Sequence, residues 1–154
     1  MVECEFENGN KANLRHVVTN TVVLNDNNQI LLVRRADWMQ VGAGLLALPG
    51  GYLDRDETVE QGARREVLEE TGFEVGDMTI FLVDSSANVP GDMDRQNVSF
   101  NFFAKIGSKV GEHDKEVSEI IWSSVDNLPK KNEFAFAHYE IIEKFLKKEN
   151  LTII

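Results

Sequence analysis

The chain is poor in the residues that would cross-link it, anchor it or bind it to a polyanion. It has one cysteine, Cys4, in 154 residues. No internal disulfide can form, and a reducing compartment, the cytoplasm, is expected. Cys4 sits in a polar stretch without an evident partner, so it is not read as a nucleophile. No apolar run approaches the roughly 20 residues of a membrane-spanning helix, and the N-terminus shows no signal-peptide pattern. Positive charge is also scarce. Sixteen Lys and Arg face 26 Asp and Glu, for a formal net charge of −10, and the pI is about 4.7. Such a surface argues against general affinity for nucleic acid or anionic membrane. A phosphate-bearing ligand would depend on a cation and a few local positive charges. No repeat, low-complexity tract or linker divides the chain, and its size suits one domain, 1–154, with an adequate core.

What is present reads as strands interrupted by two helices. Residues 1–13 are polar and predict a short arm or an edge strand. His16 to Leu24 reads as a strand, Asn25 to Asn28 as a turn, and Gln29 to Arg34 as the returning strand of a hairpin. A loop from Ala36 to Gly44 carries Trp38 and Met39. Leu45 to Leu48 is a short strand, and Pro49-Gly50-Gly51 signals a turn. Strands are expected near Met78–Ser85, Asn97–Ile106 and Glu119–Ser123, with loops at 86–95 and around Gly107, Gly111 and His113. Phe136, Tyr139, Ile142 and Phe145 have helical spacing within a last helix, Phe134 to Lys148. This order predicts an α/β fold, a mixed sheet flanked by helices.

One segment is far more specific. From Gly51 the chain runs five residues to Glu57, seven more to Arg65, then Arg65-Glu66-Val67-Leu68-Glu69-Glu70-Thr71-Gly72-Phe73. Thr58-Val-Glu-Gln61 is a capping box, so a helix starts there, and Gly72 is a left-handed C-cap that ends it. At about 100° per residue, Val59, Ala63 and Val67 form an apolar stripe. Glu66 and Glu70 project into that stripe, and Glu69 lies on its edge. A helix that only needed solubility would turn its carboxylates away. Crowded together, they repel one another and lose solvation, which a hard divalent cation relieves; Mg²⁺ fits best, and Mn²⁺ can substitute. Arg65 can pair with Glu69 one turn on, or reach back to Glu57.

This pattern resembles the Nudix box without a departure. The strict motif spans residues 51–73, and a looser match runs from about His16 to Leu146. It includes the apolar-Arg34-Arg35 strand, Ile120-Ile121-Trp122 and Asp126-Asn127-Leu128-Pro129. The resemblance implies an α/β/α sandwich and metal-dependent hydrolysis of a nucleoside diphosphate linked to another group. It implies Glu66, Glu69, Glu70 and the Gly50 carbonyl as metal ligands, with Arg65 and Glu57 supporting them. The general base is Glu66 or a loop carboxylate, of which Glu116 is preferred over Glu112, Asp114 and Glu119. No nucleophile–base pair stands out for covalent catalysis.

Arg35, Trp38 and Arg95 are the candidate substrate contacts: Trp38 by stacking on a base, Arg95 as a bidentate phosphate donor. The stripe Phe134, Phe136 and Tyr139 is read as core, and His138 as a packing or surface residue. Phe81, Phe100, Phe102 and Phe103 are also read as core. ADP-ribose or a similar compound is favoured as substrate. Pro90 and Asp94-Arg95 match the ADP-ribose pyrophosphatase pattern only loosely. A triphosphatase acting on 8-oxo-dGTP is the runner-up. A non-catalytic nucleotide sensor is a third reading, disfavoured by the intact box. The expected partner is a small nucleotide, with no nucleic acid and no membrane; a homodimer is left open.

Overall fold

The computed structural model describes residues 2–85 and 96–150. Its centre is β3 (Val17–Leu24), in which Thr19 to Leu24 are all buried. A strand covered on both faces can be apolar at successive positions, which is why Thr21-Val-Val-Leu24 does not alternate. β3 pairs in parallel with β8 (Val98–Lys109) and antiparallel with β6 (Gly50–Tyr52). β8 pairs in turn with β7 (Phe73–Asp84).

The expected hairpin of β3 with β4 (Gln29–Arg35) is present, but its ladder holds only the pair Leu24 and Ile30. The two strands then part. β4 continues the sheet through β5 (Leu46–Ala47) and β9 (Val117–Ser124). The result is a seven-stranded mixed sheet.

One helix covers each face. α1 (Val59–Thr71) inserts Val67 among Val23, Leu31, Phe73, Ile120 and Trp122. α2 (His138–Lys148) packs Ile142, Phe145 and Leu146 against Val22, Leu24, Ile30 and Leu32. Odd and even residues of β3 thus serve opposite helices, as a period of two requires. The expected α/β/α sandwich is observed. Phe102 is fully buried, while Phe103 stacks on Phe145 at 5.0 Å and Phe81 meets it edge-on at 5.3 Å between centroids.

Several expected boundaries change. Residues Val2–Glu5 (β1) and Lys11–Leu14 (β2) form a two-stranded sheet of their own rather than an arm or an edge strand. Gly50-Gly51 is not a turn but part of β6, because a backbone without Cβ atoms can lie close against β3. A Cβ on Gly50 would collide with the Thr19 carbonyl oxygen. β7 starts directly after α1, and β8 runs through Gly107. The last helix begins at His138, not Phe134. Lys131–Glu133 is a 3₁₀ turn, and Phe134 instead bridges to Leu46. Among the described residues no helix is long and apolar enough to cross a membrane.

Candidate active site

The caps predicted for α1 are in place and fix its rotation. Gln61 N–H donates to Thr58 Oγ1 at 3.2 Å, and Thr58 N–H donates to Gln61 Oε1 at 2.8 Å. Gly72 adopts φ 72° and closes the helix on the Leu68 carbonyl. Ala63 and Val67 are buried and Val59 half-buried, so the apolar stripe faces the sheet. That register brings Glu66 and Glu70 to β6.

Gly50 N–H donates to Glu70 Oε2 at 3.0 Å. A Cβ on Gly51 would lie 2.6 Å from Glu66 Oε1, so a side chain there would displace that carboxylate. Glu70 is 7% exposed. Burial pushes its carboxyl up to about 8; the Gly50 N–H opposes this, and Glu66 and Asp114 add to it. Burial also raises the Glu66 carboxyl, Arg65 pulls it back, and Glu69 and Glu116 push it further up.

Arg65 takes both routes the spacing allowed. It grips Glu57 with two hydrogen bonds, at 2.8 and 3.1 Å. It also reaches Glu66 at 2.8 Å, Glu69 at 3.0 Å and the Tyr52 carbonyl at 3.1 Å. Its hydrogen bond holds the Glu57 carboxyl below the usual range against the opposing effect of burial. Arg65 thereby links the start of the box to its acidic end. Among the described residues no three Asp, Glu, His or Cys side chains converge into a closed cation cage. Glu69, with its side chain 52% exposed, leans toward Arg65 instead.

These acids form one wall of a cleft of about 920 Å³. Of the four candidate base carboxylates, Asp114 and Glu116 line it, while Glu119 lies within β9 rather than in a loop. Glu112 pairs with Lys109 at 3.2 Å and Glu119 with Arg34 at 2.8 Å, and both acids are exposed. Asp114 Oδ1 accepts the Glu116 N–H at 2.8 Å, and the Glu116 carbonyl accepts Ala36 N–H at 2.8 Å, so the loop is braced from both sides. Arg35 also lines the cleft and donates to the Val41 carbonyl at 3.1 Å. Trp38 is 58% exposed there, its indole N–H donating to the Lys115 carbonyl at 3.3 Å. Arg95, with Pro90 and Asp94, lies outside the described residues.

The opposite wall was not read from the sequence. Phe134 is core and Tyr139 packs against it, but Phe136 is 41% exposed and lines the cleft. Its φ is +56°, a left-handed conformation costly for an aromatic residue, of order 1–3 kcal/mol. The Arg35 guanidinium lies 5.1 Å from its ring centroid. His138 is a buried packing residue, as expected, but it also lines the cleft; its Nδ1 accepts Leu48 N–H at 2.9 Å. Helical spacing ran unbroken through Phe136, and periodicity carries no signal for one left-handed residue before a helix.

Comparisons with known proteins bear on the family and the fold. The family model for the NUDIX domain matches residues 14–145. An ADP-ribose pyrophosphatase of Methanocaldococcus jannaschii is 32% identical over 133 residues, 83% of this chain and 72% of its own. A MutT-like protein of Streptomyces ambofaciens is 34% identical over 110 residues, 71% of this chain but only 64% of its own length. The NUDIX domain of Shewanella oneidensis NrtR, solved with ADP ribose, superposes with a TM-score of 0.73 over 92% of this chain and 91% of its own, at 24% identity, a likeness of fold. The match across 14–145 includes the whole box, both of its caps and both walls of the cleft, and the chain belongs to the Nudix family.

Proposed function

We propose that the chain hydrolyses a phosphoanhydride bond in a nucleoside diphosphate linked to a second group, with ADP-ribose or a close analogue as substrate. The observation that carries this reading is the pair Glu66 and Glu70, both raised by burial, set under Gly50-Gly51 at one wall of a nucleotide-sized cleft. The substrate preference is supported by the likeness to the Methanocaldococcus ADP-ribose pyrophosphatase and to the Shewanella domain solved with ADP ribose. The lone cysteine fits a cytoplasmic setting.

The donor set suits a hard divalent cation. Glu70 is buried with one N–H to balance its charge, and a second carboxylate stands beside it. Mg²⁺ rarely uses a closed protein cage; it takes one or two carboxylates, water and substrate phosphates. Glu66, Glu70, Glu69 and the Gly50 carbonyl would hold it, and Mn²⁺ would substitute. Once bound, the cation supplies positive charge opposite the diphosphate and makes water more acidic. Arg65, itself anchored by Glu57, fixes Glu66 and Glu69 by direct hydrogen bonds. Glu116 takes a proton from the attacking water, the new P–O bond forms, and the anhydride P–O bond breaks to release a phosphorylated fragment. Asp114 holds the Glu116 backbone. Arg35 and Trp38 contact the remainder of the substrate.

A panel of nucleotides, including ADP-ribose and 8-oxo-dGTP, assayed with Mg²⁺ and Mn²⁺ and with products identified, tests the reading. Hydrolysis of a diphosphate-linked nucleoside, abolished by chelation, is expected; full activity after exhaustive chelation would sink the metal role. Glu116→Gln should lower kcat roughly 10²–10⁴-fold with little change in KM. An effect under about threefold would move the base to Glu66.

A further inference from the structure

We infer that His138 is a specificity-determining residue, a fixed hydrogen-bond donor that reads an acceptor atom on the edge of the substrate's nucleobase. This rests on the hydrolase reading above and adds what recognises the base. The tautomer follows from one contact. Leu48 N–H donates to His138 Nδ1 at 2.9 Å, so Nδ1 presents a lone pair and the proton of the neutral ring sits on Nε2. Burial holds the imidazole down to about 4, with Arg35 adding to the effect and Glu140 opposing it, so the ring is neutral at physiological pH. Nε2–H has no protein acceptor among the described residues. The ring is 7% exposed, and it lines the cleft. The fold uses the acceptor half of this histidine and leaves the donor half to the cleft.

What surrounds the donor selects its ligand. The Phe136 ring centroid lies 5.4 Å from that of His138, tilted by 52°, and Arg35 covers Phe136 at 5.1 Å. An aromatic ring, the Arg35 guanidinium over it and a fixed donor beside it suit a planar heteroaromatic ring with a lone pair at its edge. The phosphates belong to the opposite wall, where Glu66 and Glu70 would share a cation with them. Because Leu48 N–H fixes Nδ1, the imidazole cannot turn into an acceptor toward the cleft. The site therefore favours base edges that present a lone pair and disfavours edges that present N–H. The left-handed Phe136 fits the same assignment, since backbone strain collects at ligand-binding positions.

The test compares wild type, His138→Gln and His138→Leu on the best nucleotide of the panel and on its counterpart with hydrogen in place of the base. Glutamine can offer an oxygen to Leu48 N–H and an amide N–H to the cleft; leucine offers neither. His138→Leu is expected to cut kcat/KM for the base-bearing substrate, through KM, about tenfold more than for the base-free one. Glutamine is expected to restore most of that preference. Equal losses on both substrates in His138→Leu, or a glutamine variant that regains thermal stability without base preference, would overturn the proposal.

Binding is read separately by NMR of imidazole-labelled wild type with AMP and no metal. The Nε2–H tautomer should be seen in the free protein, and its resonance should move with the Trp38 indole on titration. Movement of Trp38 alone overturns the role of His138 and leaves the hydrolase reading standing. If no nucleotide is hydrolysed and AMP moves neither residue, the hydrolase reading fails and this inference with it.

Discussion

The two helices are held in place by opposite means. α1, 13 residues long, has a capping box, a glycine C-cap and an arginine that ties four of its neighbours. Its only large buried apolar side chain is Val67. α2, 11 residues long, has no side-chain N-cap and no glycine at its end, yet it buries Ile141, Ile142, Phe145 and Leu146. α1 is fixed by local hydrogen bonds and charge, which leaves its inward positions free to carry carboxylates. α2 is fixed by packing, which leaves its N-terminal turn free to form the far wall of the cleft. Chemistry therefore gathers on the helix that contributes less apolar burial.

Two substitutions should separate these roles. Glu70→Gln keeps the shape of the side chain and removes its charge. Turnover with Mg²⁺ should fall roughly a thousandfold or more, because a group that would share its charge with the cation is lost. Metal-free thermal stability should hold or rise, since the unfolded chain no longer gains by ionising a carboxyl that burial keeps protonated in the folded state. A variant keeping more than about a tenth of the wild-type rate would contradict the role given to Glu70.

Phe145→Ala should do the reverse. Phe145 is fully buried between Phe81 and Phe103, and truncating such a side chain costs about 3–5 kcal/mol. Denaturant unfolding should show that loss, while kcat/KM per folded molecule stays within about threefold of wild type. A loss below about 1 kcal/mol would mean that α2 is not anchored through its core face.

The same contrast explains what could be read from the residues alone. α1 was legible because each of its determinants lies within a few positions: Thr58 with Gln61, Gly72, and the i, i+4 pair Arg65 and Glu69. Ile142 and Phe145 were legible as an apolar stripe. The start of α2 was not, because Phe134 and Phe136 continue that stripe in sequence while their backbones do something else. One bridges to β5 and the other turns left-handed. Gly50-Gly51 carries the composition of a turn, yet it is a strand, since what decides it is the distant backbone of Thr19 and Asn20. The choice among the candidate carboxylates likewise needed the tertiary fold, which brings Asp114 and Glu116 to the cleft and leaves Glu112 and Glu119 outside it.

The smallest effect sharpens the comparison where the two helices meet the cleft. His138 and Glu70 are both buried, and burial acts on them with opposite sign. The His138 imidazole is held down to about 4. Between that value and the ordinary 6.5, the unfolded chain binds a proton that the folded one does not. Stability is therefore fully present above about 6.5 and is lost as pH falls toward 4, by up to roughly 3 kcal/mol. The Glu70 carboxyl is raised to about 8. Between 4.5 and 8 the folded state binds the extra proton, so its share of stability declines as pH rises. In the metal-free wild type these two slopes oppose each other over about pH 4.5–6.5. His138→Gln removes one slope only. Its metal-free stability should rise relative to wild type as pH falls from about 6.5 to 4, measured by denaturant unfolding at each pH. Parallel curves for the two proteins would show that the folded state takes up a proton at His138, and that its Nδ1 is not held by Leu48 N–H.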